Sequence, residues 1–127
     1  MNKLRLLIID SSKIFCASAR QYLLNCPYVD CVQIAYSIDQ ALGMVDLLQP
    51  HNIIIDAKLL QYNTGVENKL FKLMEKVPEA RIVCLTLYAE KFDKYDIFQS
   101  DTCISMVSKE NFAHDINQLF GDSIKIH

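Results

Sequence analysis

The fold is decided by a stretch of nine residues near the start of the chain, Leu4-Arg5-Leu6-Leu7-Ile8-Ile9-Asp10-Ser11-Ser12. Its first six residues form a short, nearly continuous apolar run, which predicts a strand buried on both faces, as in parallel sheets. The acidic and hydroxyl side chains that follow are typical of the start of a helix. The stretch therefore predicts one strand–helix unit of an α/β fold.

The same alternation of apolar strand and amphipathic helix recurs to the end of the sequence. Strands are predicted over residues 4–9, 31–35, 53–55, 81–87 and 103–107. Helices are predicted over about 14–26, 37–48, 66–77, 90–99 and 112–120. Ser37 and Gln40 have the spacing of a capping box, Asn63-Thr64-Gly65 predicts a turn, and Gly121 predicts the end of the last helix. This strict alternation predicts an α/β fold with a five-stranded, parallel, doubly wound sheet of flavodoxin-like order 2-1-3-4-5 and five helices.

Composition excludes several classes of function. The 127 residues suit one domain, and 13 Lys and Arg against 15 Asp and Glu give a net charge of −2, so a basic nucleic-acid surface is not expected. The three glycines, Gly43, Gly65 and Gly121, are too far apart for a dinucleotide or P-loop phosphate cradle. The apolar runs are too short to span a membrane, and no targeting segment is evident. We therefore expect a cytoplasmic domain that contacts neither membrane nor nucleic acid directly.

Neither the cysteines nor the histidines form a recognisable site. The cysteines have no CxxC pair, and no histidine stands at zinc-ligand spacing, so we expect reduced, buried thiols. The cysteines are Cys16, Cys26, Cys31, Cys84 and Cys103. The histidines lack a carboxylate or cysteine partner at useful spacing and are interpreted as surface residues. They are His51, His114 and His127.

Polar residues stand where the predicted strands end. Asp10 follows the first strand, Asp56 the third, Thr86 ends the fourth and Lys109 follows the fifth. In the order 2-1-3-4-5, the first and third strands are neighbours, so the two aspartates are expected in one pocket. Two adjacent carboxylates need a cation, which Lys109 can supply. Taken singly, the four residues have ordinary structural interpretations: in the order given, a helix cap, a turn residue, a strand residue and a solvated surface residue. Taken together, they suit phosphoryl transfer onto an aspartate.

With these four positions in order, the chain resembles the receiver domain of bacterial two-component response regulators from Leu4 to about Phe120. The motifs that carry the resemblance are Leu6–Asp10, Ile53–Asp56, Cys84–Thr86 and Val107–Lys109. It implies that Asp56 accepts a phosphoryl group from a sensor histidine kinase, and that Thr86 and Lys109 contact that group. It also implies that Asp10 and Asp56 help to hold Mg²⁺. We accordingly predict a receiver domain over residues 1–122, followed by a tail or the start of a linker over 123–127.

The chain departs from the receiver pattern at several positions. Ser11 stands where receivers have a second acid that ligates Mg²⁺ directly, so we expect weakened metal binding. Leu87 is bulky where a small residue is usual, and Met106 occupies the aromatic switch position. Lys58 and Tyr88 occupy positions that influence the rate of dephosphorylation in this family, where long side chains would shield a phosphoryl group from water.

The resemblance further implies a two-state switch. Phosphorylation would reorganise the face formed by the predicted helix over 90–99, the fifth strand and the last helix. Phe92 and Tyr95 are interleaved with charges on that predicted helix and are candidates for partner contacts. The resemblance implies three kinds of partner: the kinase, a second copy of the chain in a homodimer, and a DNA-binding output domain in a continuing chain.

Two other classes of function remain open. A phosphorylation-independent pseudo-receiver would keep the fold as an interaction or dimerisation module, and Ser11, Leu87 and Met106 favour it. A small flavodoxin-like enzyme or flavin carrier would share only the topology, and the shortage of glycines argues against it. In the receiver interpretation the chain is not an enzyme, beyond self-catalysed phosphoryl transfer to and from its own aspartate.

Overall fold

The computed structural model describes residues 3–60, 64–87 and 104–125. The predicted helix over 90–99 lies outside these residues, as do the side chains of several residues named above. These side chains are Tyr88, Phe92, Tyr95, Cys103 and His127. Within the described residues, no helix is long and apolar enough to cross a membrane.

The strands form one parallel sheet. They are β1 (Leu4–Ile9), β2 (Val29–Ala35), β3 (Asn52–Asp56), β4 (Arg81–Thr86) and β5 (Ile104–Ser108). The sheet order is β2-β1-β3-β4-β5, and every pair of neighbours is parallel. The predicted fold class and strand order are therefore confirmed, and β1 lies beside β3.

Helices cover both faces of this sheet. They are α1 (Lys13–Leu24), α2 (Ile38–Leu42), α3 (Val45–Leu48), α4 (Thr64–Lys76) and α5 (Phe112–Lys125), with a 3₁₀ turn at Ala57–Leu60. The apolar sides of α1 and α5 pack on one face of the sheet, and those of α2, α3 and α4 pack on the other. In β3, Ile54 faces the first layer, whereas Ile53 and Ile55 face the second. Burial on both faces is why the central strands are continuously apolar.

The second predicted helix is divided. The amides of Gly43 and Met44 bond to carbonyl oxygens three residues back, which tightens the chain between α2 and α3. Glycine has a low helix propensity, which allows the break. The Ser37 hydroxyl caps α2 by accepting from the Gln40 amide at 3.1 Å, whereas the Gln40 side chain accepts from the Tyr36 amide at 2.8 Å. Both bonds of the predicted capping box are therefore present, but the Gln40 side chain bonds to the amide of Tyr36, one residue before the Ser37 cap.

Two predicted helix boundaries are wrong. Thr64 and Gly65, predicted as part of a turn, already belong to α4, and α5 continues through Gly121 to Lys125. Gly121 does not have a positive φ, so it does not take the left-handed conformation that ends many helices. A glycine inside a helix costs only about 1 kcal/mol. The burial of the neighbouring Phe120 against the sheet can offset that cost.

His51 is not the surface residue that the sequence predicted. Its Nδ1 atom accepts a hydrogen bond from the Arg5 amide at 2.9 Å, and its ring is half-buried. Burial and the nearby Arg5 charge lower the pKa of His51, so the ring is neutral at pH 7. His51 therefore joins the start of β1 to the start of β3. His114, by contrast, is exposed as predicted.

Candidate acidic pocket at the carboxyl edge of the sheet

Asp10 and Asp56 stand side by side at the edge where the strands end. Asp10 follows β1, and Asp56 is the last residue of β3, with Ile9 and Ile55 paired just before them. Both are buried, with 0% of Asp10 and 4% of Asp56 exposed. Carboxylates removed from water to this degree require a counter-charge.

Lys109 supplies that charge. Its Nζ atom lies 2.7 Å from Oδ2 of Asp10 and 3.4 Å from Oδ2 of Asp56. The Lys109 amide donates to the Thr86 carbonyl at 2.7 Å, which fixes the residue against the end of β4. Burial alone would lower the pKa of Lys109, but the hydrogen bond to Asp10 and the charges of both aspartates outweigh it and raise this pKa. Lys109 is therefore an ammonium ion throughout the neutral range.

The remaining carboxylate oxygens are held by the backbone that follows each aspartate. Oδ1 of Asp10 accepts from the Ser12 amide at 2.9 Å, and Oδ1 of Asp56 accepts from the Lys58 amide at 3.1 Å. These are local turns that aspartate favours at the end of a strand. The residue that caps α1 is Ser12, whose hydroxyl accepts from the Phe15 amide at 3.2 Å. Asp10 is therefore not the cap itself, and its second oxygen points to Lys109.

Phe15 belongs to this pocket, although the sequence did not single it out. The Lys109 Nζ atom lies 4.8 Å from the centre of the Phe15 ring, within the range of a cation–π interaction. In the sequence, Phe15 is one of several apolar positions of the first helix. Its nearness to Lys109 depends on how α1 and the chain after β5 pack together, which helical periodicity cannot reveal.

None of the other described candidate residues takes part in these ion pairs. Thr86 ends β4 opposite Ser108 of β5, at the same edge of the sheet. Ser11 and Lys58, which follow the two aspartates, are exposed. Leu87 and Met106 are also exposed, although both are large and apolar.

The fold of this chain is similar to that of several solved structures. No protein-family model and no curated protein matches the chain. Solved structures do match, among them the receiver domain of the putative response regulator NarL from Mycobacterium tuberculosis, at 16% identity and a TM-score of 0.73, with 98% of each chain covered. The chain has a receiver-domain fold.

Two further matches cover nearly whole chains. A two-component transcriptional regulator AraC from Clostridium phytofermentans has 18% identity and a TM-score of 0.76, covering 97% of this chain and 94% of its own. A CheY-like receiver domain protein from Methanospirillum hungatei has 20% identity and a TM-score of 0.67, with both chains fully covered. At these identities the likeness establishes the receiver fold and not the chemistry of the pocket.

The receiver fold implies Mg²⁺, and the pocket offers it a reduced set of ligands. Carboxylate oxygens are the hard donors that Mg²⁺ prefers, and those of Asp10 and Asp56 keep lone pairs beyond the bonds described above. The described part of the chain nevertheless contains no group of three or more His, Cys, Asp or Glu side chains arranged for a metal. Two carboxylates and Lys109 sum to −1, and Ser11 adds only a neutral hydroxyl. The two carboxylates therefore fit a divalent cation, and the weakened binding expected from Ser11 stays a prediction.

Two cysteines beside the pocket are expected to resist modification. Burial, and after it the charge of Asp10, raises the pKa of the Cys16 thiol to about 11. Burial, and after it the charge of Asp56, raises the pKa of the Cys84 thiol to about 12. Thiolates are the reactive form, so at pH 7 iodoacetamide should leave both unmodified in the folded protein. The half-buried Cys26 and Cys31 should react faster. Peptide mass mapping after a timed pulse would measure this, with urea-unfolded protein as the control in which all five cysteines of the chain react. Early labelling of Cys84 would contradict the expectation.

Proposed function

We propose that this chain is a signal receiver that accepts a phosphoryl group on Asp56 from a sensor histidine kinase. The observation that carries the proposal is the shared ammonium of Lys109, which joins Asp56 to Asp10 at the carboxyl edge of a receiver fold. This edge is where open α/β sheets bind their ligands. A buried carboxylate with a fixed counter-charge is suited to act as a nucleophile whose product carries more negative charge.

The proposed reaction transfers the phosphoryl group from nitrogen to oxygen, with water as the source of a proton. A carboxylate oxygen of Asp56 attacks the phosphorus of a phosphohistidine; the new P–O bond forms as the P–N bond breaks, and the imidazole leaves with a proton from water. The phosphoryl group adds a charge of about −1.5 to −2 at neutral pH. Lys109 and the Thr86 hydroxyl would face that added charge. A bound Mg²⁺, held by Asp10 and Asp56, would neutralise part of the charge on the phosphoryl oxygens.

The proposed output is a change in the surface next to Thr86 and Lys109. Drawing these residues toward a phosphoryl group would shift β5 and the start of α5, to which they are linked through Ser108 and the Lys109 backbone. Met106 on β5 is exposed and available for contact with a partner. With the predicted helix over 90–99, including Phe92 and Tyr95, this surface would contact a second copy of the chain or an output domain that binds DNA.

Intact mass measures the proposed reaction directly. After incubation with MgCl₂ and a small-molecule phosphodonor such as acetyl phosphate, we expect the mass to increase by one phosphoryl group. Asp56→Asn should abolish the increase because an amide is not a nucleophile of this kind. Asp30→Asn is the matched control, since Asp30 is an exposed aspartate on β2, and it should keep the increase. An unchanged wild-type mass at every MgCl₂ concentration would contradict the proposal.

A second candidate function is supported by a specific observation. Ser11 replaces an acid, and Lys109 already pairs with Asp10 at 2.7 Å, so the pocket carries its own cation. A phosphorylation-independent pseudo-receiver would use the fold as an interaction module and leave this pocket in one state. The mass measurement separates the two, because only the signal receiver gains a phosphoryl group that depends on Asp56.

A further inference from the structure

The Lys109 ammonium is attracted from three directions. The two carboxylate oxygens lie 2.7 and 3.4 Å away, and the Phe15 ring centre lies 4.8 Å away. The negative face of an aromatic ring attracts a cation, and most strongly where water is largely excluded. Only 12% of the Lys109 side chain is exposed, so the ring acts on a largely dehydrated cation.

The Phe15 ring is fixed by its own neighbours. Its backbone amide is tied to the Ser12 cap at 3.2 Å, at the start of α1. Its ring meets Phe112, the first residue of α5, edge to face, with centres 5.5 Å apart and planes at 84°. Phe112 is buried and meets Tyr22 of α1 in the same manner at 6.3 Å. The packing of α1 against α5 therefore fixes the position of the Phe15 ring.

We propose that Phe15 is a positioning residue that holds the Lys109 ammonium on Asp10 and so sets how strongly this internal cation competes with a divalent cation. The inference rests on the metal site of the proposed function. Lys109 and a metal ion would draw on the same oxygens of a pocket whose net charge is only −1. A contact that favours Lys109 on Asp10 therefore weakens metal binding by the same factor. Phe15 thus adds to the effect of Ser11.

The test is a MgCl₂ titration at constant ionic strength, followed by the backbone amide NMR signals of Ser12 and Lys58. These amides donate to Asp10 and Asp56 respectively, so they report on the carboxylates and not on activity. Phe15→Leu should bind Mg²⁺ about five- to thirtyfold more tightly, the factor that corresponds to a cation–π contribution of about 1–2 kcal/mol for a largely desolvated contact. Phe15→Tyr keeps the ring face and should match the wild type.

Tyr22→Leu is the matched control for packing. Tyr22 contacts Phe112, as Phe15 does, but the ring that faces the Lys109 ammonium is that of Phe15. Both leucine variants loosen the packing between α1 and α5, but only Phe15→Leu should change the Kd for Mg²⁺. If Phe15→Leu fails to fold, Phe15→Met, which fills similar space, takes its place.

An unchanged Kd in a folded Phe15→Leu protein would overturn the inference, and so would an equal change in Tyr22→Leu. Absence of any Mg²⁺-dependent shift in all variants would overturn it as well. These failures are distinguishable from failure of the proposed function. If the wild type gains a phosphoryl group but the Kd of Phe15→Leu for Mg²⁺ is unchanged, only the role of Phe15 is rejected. If that Kd changes but the wild type gains no phosphoryl group, only phosphorylation is rejected.

Discussion

Ser11→Asp is expected to tighten Mg²⁺ binding at least tenfold. The substitution changes the net charge of the pocket from −1 to −2 and supplies a third hard oxygen ligand next to Asp10. A tenfold change in Kd requires about 1.4 kcal/mol. Two unit charges about 4 Å apart contribute about 1 kcal/mol in bulk water and about 4 kcal/mol near a protein surface. A divalent cation doubles these values, so the expected gain exceeds the requirement even at the exposed position of Ser11.

Ser11→Asn is the matched control for this prediction, because asparagine has the shape of aspartate without its charge. It should leave the Kd for Mg²⁺ within about threefold of the wild type, since an amide oxygen is a weaker ligand than a carboxylate. The measurement is the same titration of the Ser12 and Lys58 amide signals. An equal gain in Ser11→Asn would show that ligand shape, and not charge, limits metal binding in this chain.

The sheet could be predicted from the sequence because its central strands obey one simple constraint. Ile53, Ile54 and Ile55 are apolar without alternation, since helices cover both faces of β3. Once the strand order is known, the carboxyl ends of β1 and β3 must lie together, which brings Asp10 beside Asp56. The meeting of the two aspartates therefore follows from topology and needs no knowledge of side-chain packing.

The features that the sequence did not reveal depend on contacts between distant segments. Gly121 does not end α5, which continues to Lys125, and the neighbouring Phe120 is buried against the sheet. His51 is not a surface residue, because the Arg5 amide donates to it from the neighbouring strand. The Phe15 ring reaches Lys109 only through the packing of α1 against α5. Periodicity assigns a residue to the buried side of its helix but not to a particular neighbour.

Lys109→Met is expected to lower the free energy of unfolding by about 3 kcal/mol at pH 7, because removing one partner of a buried ion pair leaves the other uncompensated. Here two carboxylates, 0% and 4% exposed, lose their shared cation, while methionine keeps much of the apolar stem. Urea unfolding followed by circular dichroism measures the loss. In the wild type this stabilisation is present at neutral pH and is lost as pH rises through the Lys109 pKa, which lies above its usual 10.5. As pH rises from neutral, the two proteins should therefore converge in stability only in strong alkali.

Lys69→Met separates this effect from the general loss of a lysine. Lys69 pairs with Asp39 at 3.0 Å, but both side chains are exposed, so its removal should cost less than about 1 kcal/mol. Adding Asp10→Asn to Lys109→Met should recover part of the loss, because one uncompensated carboxylate remains instead of two. A cost for Lys109→Met no larger than that for Lys69→Met would mean that water already screens the pocket. The Lys109 ammonium would then not be the cation that allows Asp10 and Asp56 to lie together, and its charge would not weaken Mg²⁺ binding.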